Sequence, residues 1–258
     1  MAEISVLILA KDEEKNIAAC LESVKSFATE IIVIDDFSTD KTAEICKNLG
    51  AKVFQRALNG DWGSQKTFAI EQATCDWIFI LDADERVSPQ LAEEVKKILA
   101  EDNKKFAWRC SRLSYFFGQA LRHGGWFPDY VTRILPKAGT YVEGVVHEKI
   151  CHQYVEKKLP REKYLVHYPY RDWNHHLSKL NTYTSLMAKK MHDAGKTASL
   201  IDIIFRPLWA AFRMYILRGG FLDGLVGFIL SGFHYSYTLA KYIKLYYYGK
   251  ENRHVTEE

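Results

Sequence analysis

No two cysteines in this chain stand in a Cys-x-x-Cys spacing. The five present (Cys20, Cys46, Cys75, Cys110 and Cys151) are odd in number and widely spread. That argues against a disulfide framework and a cysteine-built zinc site, and it fits a reducing cytoplasm. No stretch reaches the roughly 18 uninterrupted apolar residues of an ordinary spanning helix. The nearest candidate, 221–235, is broken by Asp223, three glycines and His234. The N-terminus enters an apolar strand at Ile4 without a basic leader or a long apolar run, so a signal peptide is not expected. Neither sign of charge dominates: 35 Lys and Arg face 32 Asp and Glu, for a net +3. That balance argues neither for nor against a nucleic-acid partner, and none is expected. There is no internal repeat and no low-complexity segment.

What is present is a core. Apolar residues make up 48% of 258, enough for one large domain or a domain with an appendage. Aromatics thicken toward the C-terminus. The first hundred residues alternate between two periodicities. ISVLILA (4–10), EIIVIDD (30–36), AKVFQR (51–56) and DWIFILD (76–82) read as strands, the first a continuous apolar run of the kind buried on both faces. KDEEKN opens a helix with acidic residues in its first turn; Ile17, Cys20, Leu21 and Val24 follow at helical spacing. Thr39 and Asp40 can cap the next helix, which carries Ala43, Cys46 and Leu49 and ends at Gly50. NGDWGSQ reads as a loop and KTFAIEQA as a helix. Ser88 and Pro89 give an N-cap and first helical residue ahead of Leu91, Val95, Ile98 and Leu99. This alternation predicts an α/β fold with a parallel, doubly wound sheet. Past Lys104 the pattern turns to strands with turns at Gly118, Gly124-Gly125 and 136–139. From Asp172 it turns helical, with Leu177, Leu180, Thr184, Met187 and Met191 at steps of three and four.

Ligands of open α/β sheets bind beyond the carboxyl ends of the strands. Here strand one ends at Lys11-Asp12-Glu13, strand two at Asp35-Asp36 and strand four at Asp82 and Asp84. In a parallel sheet these ends share one rim. An Asp-x-Asp supplies two oxygen ligands to a hard divalent cation, Mn²⁺ or Mg²⁺, whose remaining shell comes from phosphates and water. The competing reading is that Asp82 and Asp84 only cap and solvate the turn before Ser88. The convergence of three acidic strand ends favours the cation.

The segments ISVLILAKDEEKNI, EIIVIDDFSTDKT and DWIFILDADERVSP, in that order and spacing, resemble family 2 glycosyltransferases of the GT-A fold. DWGSQKTFAIEQAT is similar to the segment that precedes their Asp-x-Asp strand. RILPKAGTYVEGVVHEKI, LVHYPYRDWNHHLSKLNTYT and RGGFLDGLVGFILSGFHYSYTLAKYIKLYYYG resemble the C-terminal half of the lipopolysaccharide-core β-1,4-glucosyltransferase-like subgroup. The likeness covers nearly the whole chain. It implies an inverting, metal-dependent transfer of a hexose, glucose being the first choice, from a UDP-sugar to a glycolipid or saccharide acceptor. It implies that Asp36 contacts the base or ribose and that the turn from Ala10 through Lys11 to Glu13 frames the uridine. Other members carry Asn or Tyr where this chain has Lys11-Asp12. Asp84 becomes the direct metal ligand, Asp82 and Ala83 the sugar or ribose contacts, and Lys66 a basic group near the donor. Glu85 either edges the loop or faces the acceptor.

An inverting transfer also needs a base for the acceptor hydroxyl. The family often places it in an x-Glu-Asp motif. Downstream of the metal motif this chain has only Glu101-Asp102, which reads as a helix end. Glu148 in VHEK is the candidate, against the alternative of a surface strand residue paired with Lys149. Asp129 after Pro128 is the second choice, or else a turn residue. His167 fits the late histidine that such enzymes give the metal, or else packs as a core histidine. Arg133 pairs with the diphosphate or is an exposed strand charge.

In the tail, Ile201, Ile204, Phe205, Leu208 and Phe212 form an apolar stripe beside Trp209, with Pro207 expected to kink or restart the helix. Residues 221–248 mix Leu, Phe and Tyr with Lys241, Lys244 and Lys250. Both segments read as amphipathic helices on a membrane surface, or as core with glycines for close packing. The expected organisation is a GT-A domain over 1–170 (nucleotide-sugar half 1–103, acceptor half 104–170) and a helical, membrane-associated extension over 171–258. The place is the cytoplasm, peripheral at the inner face of a bacterial membrane. Rival readings keep the transferase and change the acceptor to a polyprenyl phosphate, capsule precursor or protein, or make the chain a nucleotidyltransferase or a non-catalytic sugar-nucleotide binder. A nucleotidyltransferase would carry a glycine-rich basic loop where this chain has Lys11-Asp12-Glu13-Glu14.

Overall fold

The computed structural model describes residues 2–144 and 148–254, with side chains through residue 250. Its elements run β1 (Ile4–Ala10), α1 (Ile17–Val24), β2 (Glu30–Asp35), α2 (Thr42–Asn48), β3 (Lys52–Gln55), α3 (Trp62–Gln72), β4 (Trp77–Asp82), β5 (Glu85–Val87), α4 (Pro89–Glu101), β6 (Phe106–Phe116), β7 (Gln119–Ala120), β8 (Asp129–Pro136), β9 (Tyr141–Glu143), β10 (Lys149–Cys151), β11 (Val155–Lys158), β12 (Tyr164–His167), α5 (Trp173–Asp193), α6 (Leu200–Phe212) and α7 (Gly224–His254). The chain forms two compact units. One holds Met1–Leu113 and Pro128–His167; the other holds Ser114–Phe127 and Tyr168–Glu258.

The first unit is α/β, the class expected. Its sheet runs β3-β2-β1-β4-β8-β6-β12-β5. The four strands predicted from the apolar runs are parallel, and β8, β6, β12 and β5 join them antiparallel or at the far edge. Alternate residues of β1 face opposite sides, as strand geometry requires. Val6 and Ile8 pack in one cluster with Leu21 of α1 and Leu91 and Val95 of α4. Leu7 and Leu9 pack in another with Ala69 and Ile70 of α3. Covering both faces explains why β1 has no polar alternation.

Two helix starts differ from the expectation. The acidic run Asp12-Glu13-Glu14 lies outside α1, which begins at Ile17. Asp12 takes a left-handed φ of 50°, and its carboxylate accepts from the Thr39 N–H at 2.7 Å, while the Glu13 N–H donates to Thr42 Oγ1 at 2.7 Å. The segment is tied across to the β2–α2 loop, so it cannot wind into helix. Conversely, α3 starts at Trp62, inside the expected loop, because Asp61 accepts from the Ser64 N–H at 2.9 Å. Gly63 lets that helix approach β9: a Cβ there would sit 2.7 Å from the Gly144 carbonyl oxygen. Ser88 and Pro89 start α4 as read, with Ser88 accepting from Leu91 N–H at 3.3 Å.

The second unit is helical. On α5, Thr184 and Ala188 are buried while Leu177 is exposed, and His176 takes the inner position that Leu177 was expected to hold. Of the residues read as the inner stripe, Thr184 is buried and Leu180, Met187 and Met191 are half-buried; Leu177 alone falls outside it. Helix α6 opens on a Ser199–Asp202 capping box and runs through Pro207 without a break. The interruption comes later, as a π-helical turn over Arg213–Leu217 followed by a 3-10 turn over Gly220–Asp223. Asp223, which reads in sequence as a flaw in an apolar run, is buried. It accepts from the backbone N–H of Arg122 and His123 at 3.1 and 2.9 Å. Lys244 is not a lipid-facing charge either: its ammonium donates to Asn181, Thr184 and Ser185 of α5. The apolar stripe of α6 behaves differently. Ile201, Ile204, Phe205, Leu208 and Trp209 are each more than half exposed. Among the described residues no single helix is long and apolar enough to cross a membrane, although the bent pair Leu200–Leu217 and Gly220–Lys250 meets that test together.

Candidate active site

Register places the three acidic strand ends side by side. Ala10 pairs with Asp35, and Leu9 with Asp82, so β1, β2 and β4 finish at one level. Just past β1, Lys11 donates to the backbone carbonyls of Asp36 and Phe37. Asp35 is fully buried and accepts from the Ser38 N–H and from Gln55, which shapes the loop. Asp36 stays partly exposed and accepts from the Leu58 N–H at 2.9 Å. Glu13 turns toward Asn16, accepting from its side-chain amide at 2.7 Å. Ala10 is buried beneath this turn.

The Asp-x-Asp turn is more structured than a solvated loop. Asp82 accepts from Arg133 Nη2 at 2.5 Å and lies 3.8 Å from the Lys66 ammonium. Burial opposes its charge, but Arg133 and Lys66 outweigh that and hold its carboxyl well below the usual carboxylate range. Ala83 is buried between the two aspartates. Asp84 points to His167 on β12, with Oδ2 and Nε2 3.7 Å apart; β12 is in reach because His167 pairs with Glu85 of β5.

Glu85 neither edges the loop nor faces outward. It is 0% exposed, and Arg133 beside it is 4% exposed. Arg133 Nη2 donates to Glu85 Oε1 at 2.6 Å, and Glu85 Oε2 accepts from the Asp82 N–H at 3.1 Å. Burial raises the Glu85 carboxyl above its ordinary value despite Arg133. Arg133 is thus no exposed strand charge. It clamps Asp82 to the interior, and its guanidinium is held protonated by the two carboxylates although burial opposes that. Arg112 on β6, not singled out from the sequence, sits 3.6 Å from Glu85 and donates to Asp129 from Nε at 2.9 Å. A carboxylate three residues past a buried strand, facing two arginines on later strands, is a signal only once the pairing of those strands is known.

Glu148 also lies on this rim. Its partner is Lys66 Nζ of α3, at 2.6 Å, rather than Lys149. The buried Lys66 therefore links Asp82 to Glu148. Asp129 opens β8 and is tied up by Arg112. The neighbouring residues 145–147 lie outside the described residues. Among the described residues no three His, Cys, Asp or Glu side chains close a metal shell. Asp84 with His167 offers one carboxylate and one imidazole, a partial set. It suits a hard cation that fills its remaining positions from phosphate and water. A recess of about 420 Å³ opens between α3 and β9, lined by Arg56, Asp61, Ser64, Phe68 and Tyr141 among others.

The family model described as Glycosyl transferase family 2 matches residues 5–133. A glycosyltransferase of Rickettsia typhi is 30% identical over 241 residues, 90% of this chain and 82% of that one. The lipopolysaccharide core biosynthesis glycosyltransferase LpsC of Rhizobium meliloti is 30% identical over 250 residues, covering 92% and 90%. Among solved structures, S. aureus TarS 1-349 aligns over 97% of this chain and 92% of that one, at 14% identity and a TM-score of 0.47.

Proposed function

The chain belongs to glycosyltransferase family 2, and on that premise we propose that it moves a hexose, glucose first, from a UDP-sugar to a lipopolysaccharide-core or related glycolipid acceptor by single displacement. One observation carries the reading. The ends of β1, β2 and β4 stand level, and Lys66 ties the Asp-x-Asp turn to Glu148 on the same rim. The acceptor class is supported by the name of the Rhizobium relative, which spans the same length.

In this reading Asp36 and the turn from Ala10 through Lys11 to Glu13 receive the uridine, and Asp82 and Ala83 the ribose or sugar. Arg133 acts through Asp82, holding it in one orientation. Asp84 and His167 would hold Mn²⁺ or Mg²⁺; that cation, when bound, offsets the charge of the departing diphosphate. Lys66 adds positive charge beside the donor. Glu148 takes the proton of the acceptor hydroxyl as that oxygen attacks the anomeric carbon. It is preferred to Asp129 because Lys66 joins it to Asp82 on the rim, whereas Asp129 is bound to Arg112 at the start of β8. The test is calorimetry of UDP with Mn²⁺. Asp84→Asn should weaken Mn²⁺-dependent UDP binding by about a hundredfold, against a small loss without metal; equal binding by variant and wild type ends the metal assignment. Release of UDP across a panel of nucleotide sugars then identifies the donor.

The exposed stripe of α6 supports a second part of the proposal, attachment to the cytoplasmic face of a bacterial membrane. In sedimentation with phosphatidylglycerol vesicles, the combined change Ile201→Glu, Phe205→Glu and Leu208→Glu should cut the bound fraction on the order of tenfold or more. A wild-type chain that stays in the supernatant removes this part and leaves the catalytic reading standing.

A further inference from the structure

The helical unit contains a cavity of about 200 Å³ that the catalytic rim does not use. It is walled by aromatic rings, Trp126, Tyr170, Tyr183, Phe233 and Tyr237, with His176, Lys179 and His234 among them. His176 is the anomaly. It is 6% exposed, and both of its ring nitrogens are buried with no hydrogen-bond partner. Its ring is caged at 4.5 Å from Tyr170, 4.4 Å from Phe233 and 5.5 Å from Phe116, between centroids. Burial lowers its pKa, which favours the neutral imidazole. A phenylalanine would fill the same cage and leave nothing unpaired. A native fold rarely keeps such a mismatch without a use for it.

We infer that this cavity binds one anionic sugar residue of the acceptor, a pyranose bearing a phosphate or a carboxylate. A neutral imidazole offers one donor and one acceptor, which is what a sugar hydroxyl can meet with its own lone pair and O–H. The surrounding rings present electron-rich faces to the C–H bonds of a pyranose. Among the described residues that line the cavity, Lys179 is the charged one, and its charge favours an anion. The ammonium of Lys179 donates to the Pro169 carbonyl at 3.0 Å and lies 5.8 Å from the centre of the Tyr170 ring. The volume lies below the roughly 300–1,000 Å³ usual for larger ligands, so it takes a single ring. The purpose, holding the acceptor, rests on the glycosyltransferase reading; the binding does not, and it is measured without donor or metal.

The experiment is ligand-observed saturation-transfer NMR and calorimetry on the full chain. The probes are glucose 6-phosphate, glucuronate, methyl glucoside, inorganic phosphate and decyl phosphate. Glucose 6-phosphate or glucuronate should bind in preference to methyl glucoside and to phosphate alone, and which of the two binds names the anion. His176→Phe, which keeps the ring and removes the nitrogens, should weaken that binding about tenfold or more. Leu180→Trp, which fills the cavity, should do the same. Both variants should keep wild-type helical circular dichroism and thermal unfolding, which shows that the helical unit folds, and wild-type UDP binding with Mn²⁺. Lys179→Met should erase the preference for the charged sugar. Equal binding by His176→Phe, failure of every sugar probe, or selective uptake of decyl phosphate overturns the inference.

Discussion

Replacing Arg133 with methionine should lower the unfolding free energy by about 3–5 kcal/mol, the cost of leaving a buried carboxylate unpaired. Glu85 is fully buried and Arg133 very nearly so. The Arg133 Nη2 is within hydrogen-bond reach of Glu85 Oε1 at 2.6 Å and of Asp82 as well. Arg112 approaches Glu85 only to 3.6 Å and is itself engaged with Asp129, so it cannot take over. Urea unfolding monitored by circular dichroism measures the loss. The double change Arg133→Met with Glu85→Gln should recover part of it, because the isolated charge is gone, and the non-additivity identifies the pair as the cause. A single variant within about 1 kcal/mol of wild type sinks the claim that this ion pair anchors the site. A stable double variant with weak UDP binding is the expected companion result, since Asp82 would lose the group that orients it.

This pair also marks where sequence reasoning stops. The parallel half was legible because each strand carries its own signal. ISVLILA is apolar throughout since both faces of β1 are covered, by α1 and α4 on one side and α3 on the other. The level ends at Ala10, Asp35 and Asp82 follow from parallel pairing alone. Glu85 and Arg112 were not legible. Their burial depends on β5, β6 and β8 meeting in a sheet whose order jumps along the chain, and no local periodicity encodes that. Local competition explains the misplaced helix starts. Asp12 serves Thr39 across the rim, where propensity alone would have spent the acidic run on a helix dipole. The α6 stripe, by contrast, needs no partner strand to define its face: Ile201, Ile204, Phe205 and Leu208 recur at helical spacing and are exposed together.

Removing the proposed base gives the largest kinetic effect. Glu148→Gln should reduce kcat by about 10²–10⁴, the range for loss of a positioned general base. Affinity for UDP should stay near wild type, since the side chain keeps its size. Such a variant lowers kcat and kcat/KM together, the pattern of an interaction made in the transition state. The position of Lys66 makes the test sharper. It lies 2.6 Å from Glu148 and 3.8 Å from Asp82, so Glu148→Gln also frees a buried ammonium that Asp82 alone must then balance. A purely structural role for Glu148 would therefore appear as weaker UDP binding and a lower melting temperature with little change in kcat. A base appears as the reverse. Asp129→Asn serves as the counterpart, because its carboxylate is committed to Arg112; it should cost little turnover and some stability. If instead Glu148→Gln turns over near the wild-type rate while Asp129→Asn does not, the proton passes to Asp129, and the Arg112 pairing must open when acceptor binds.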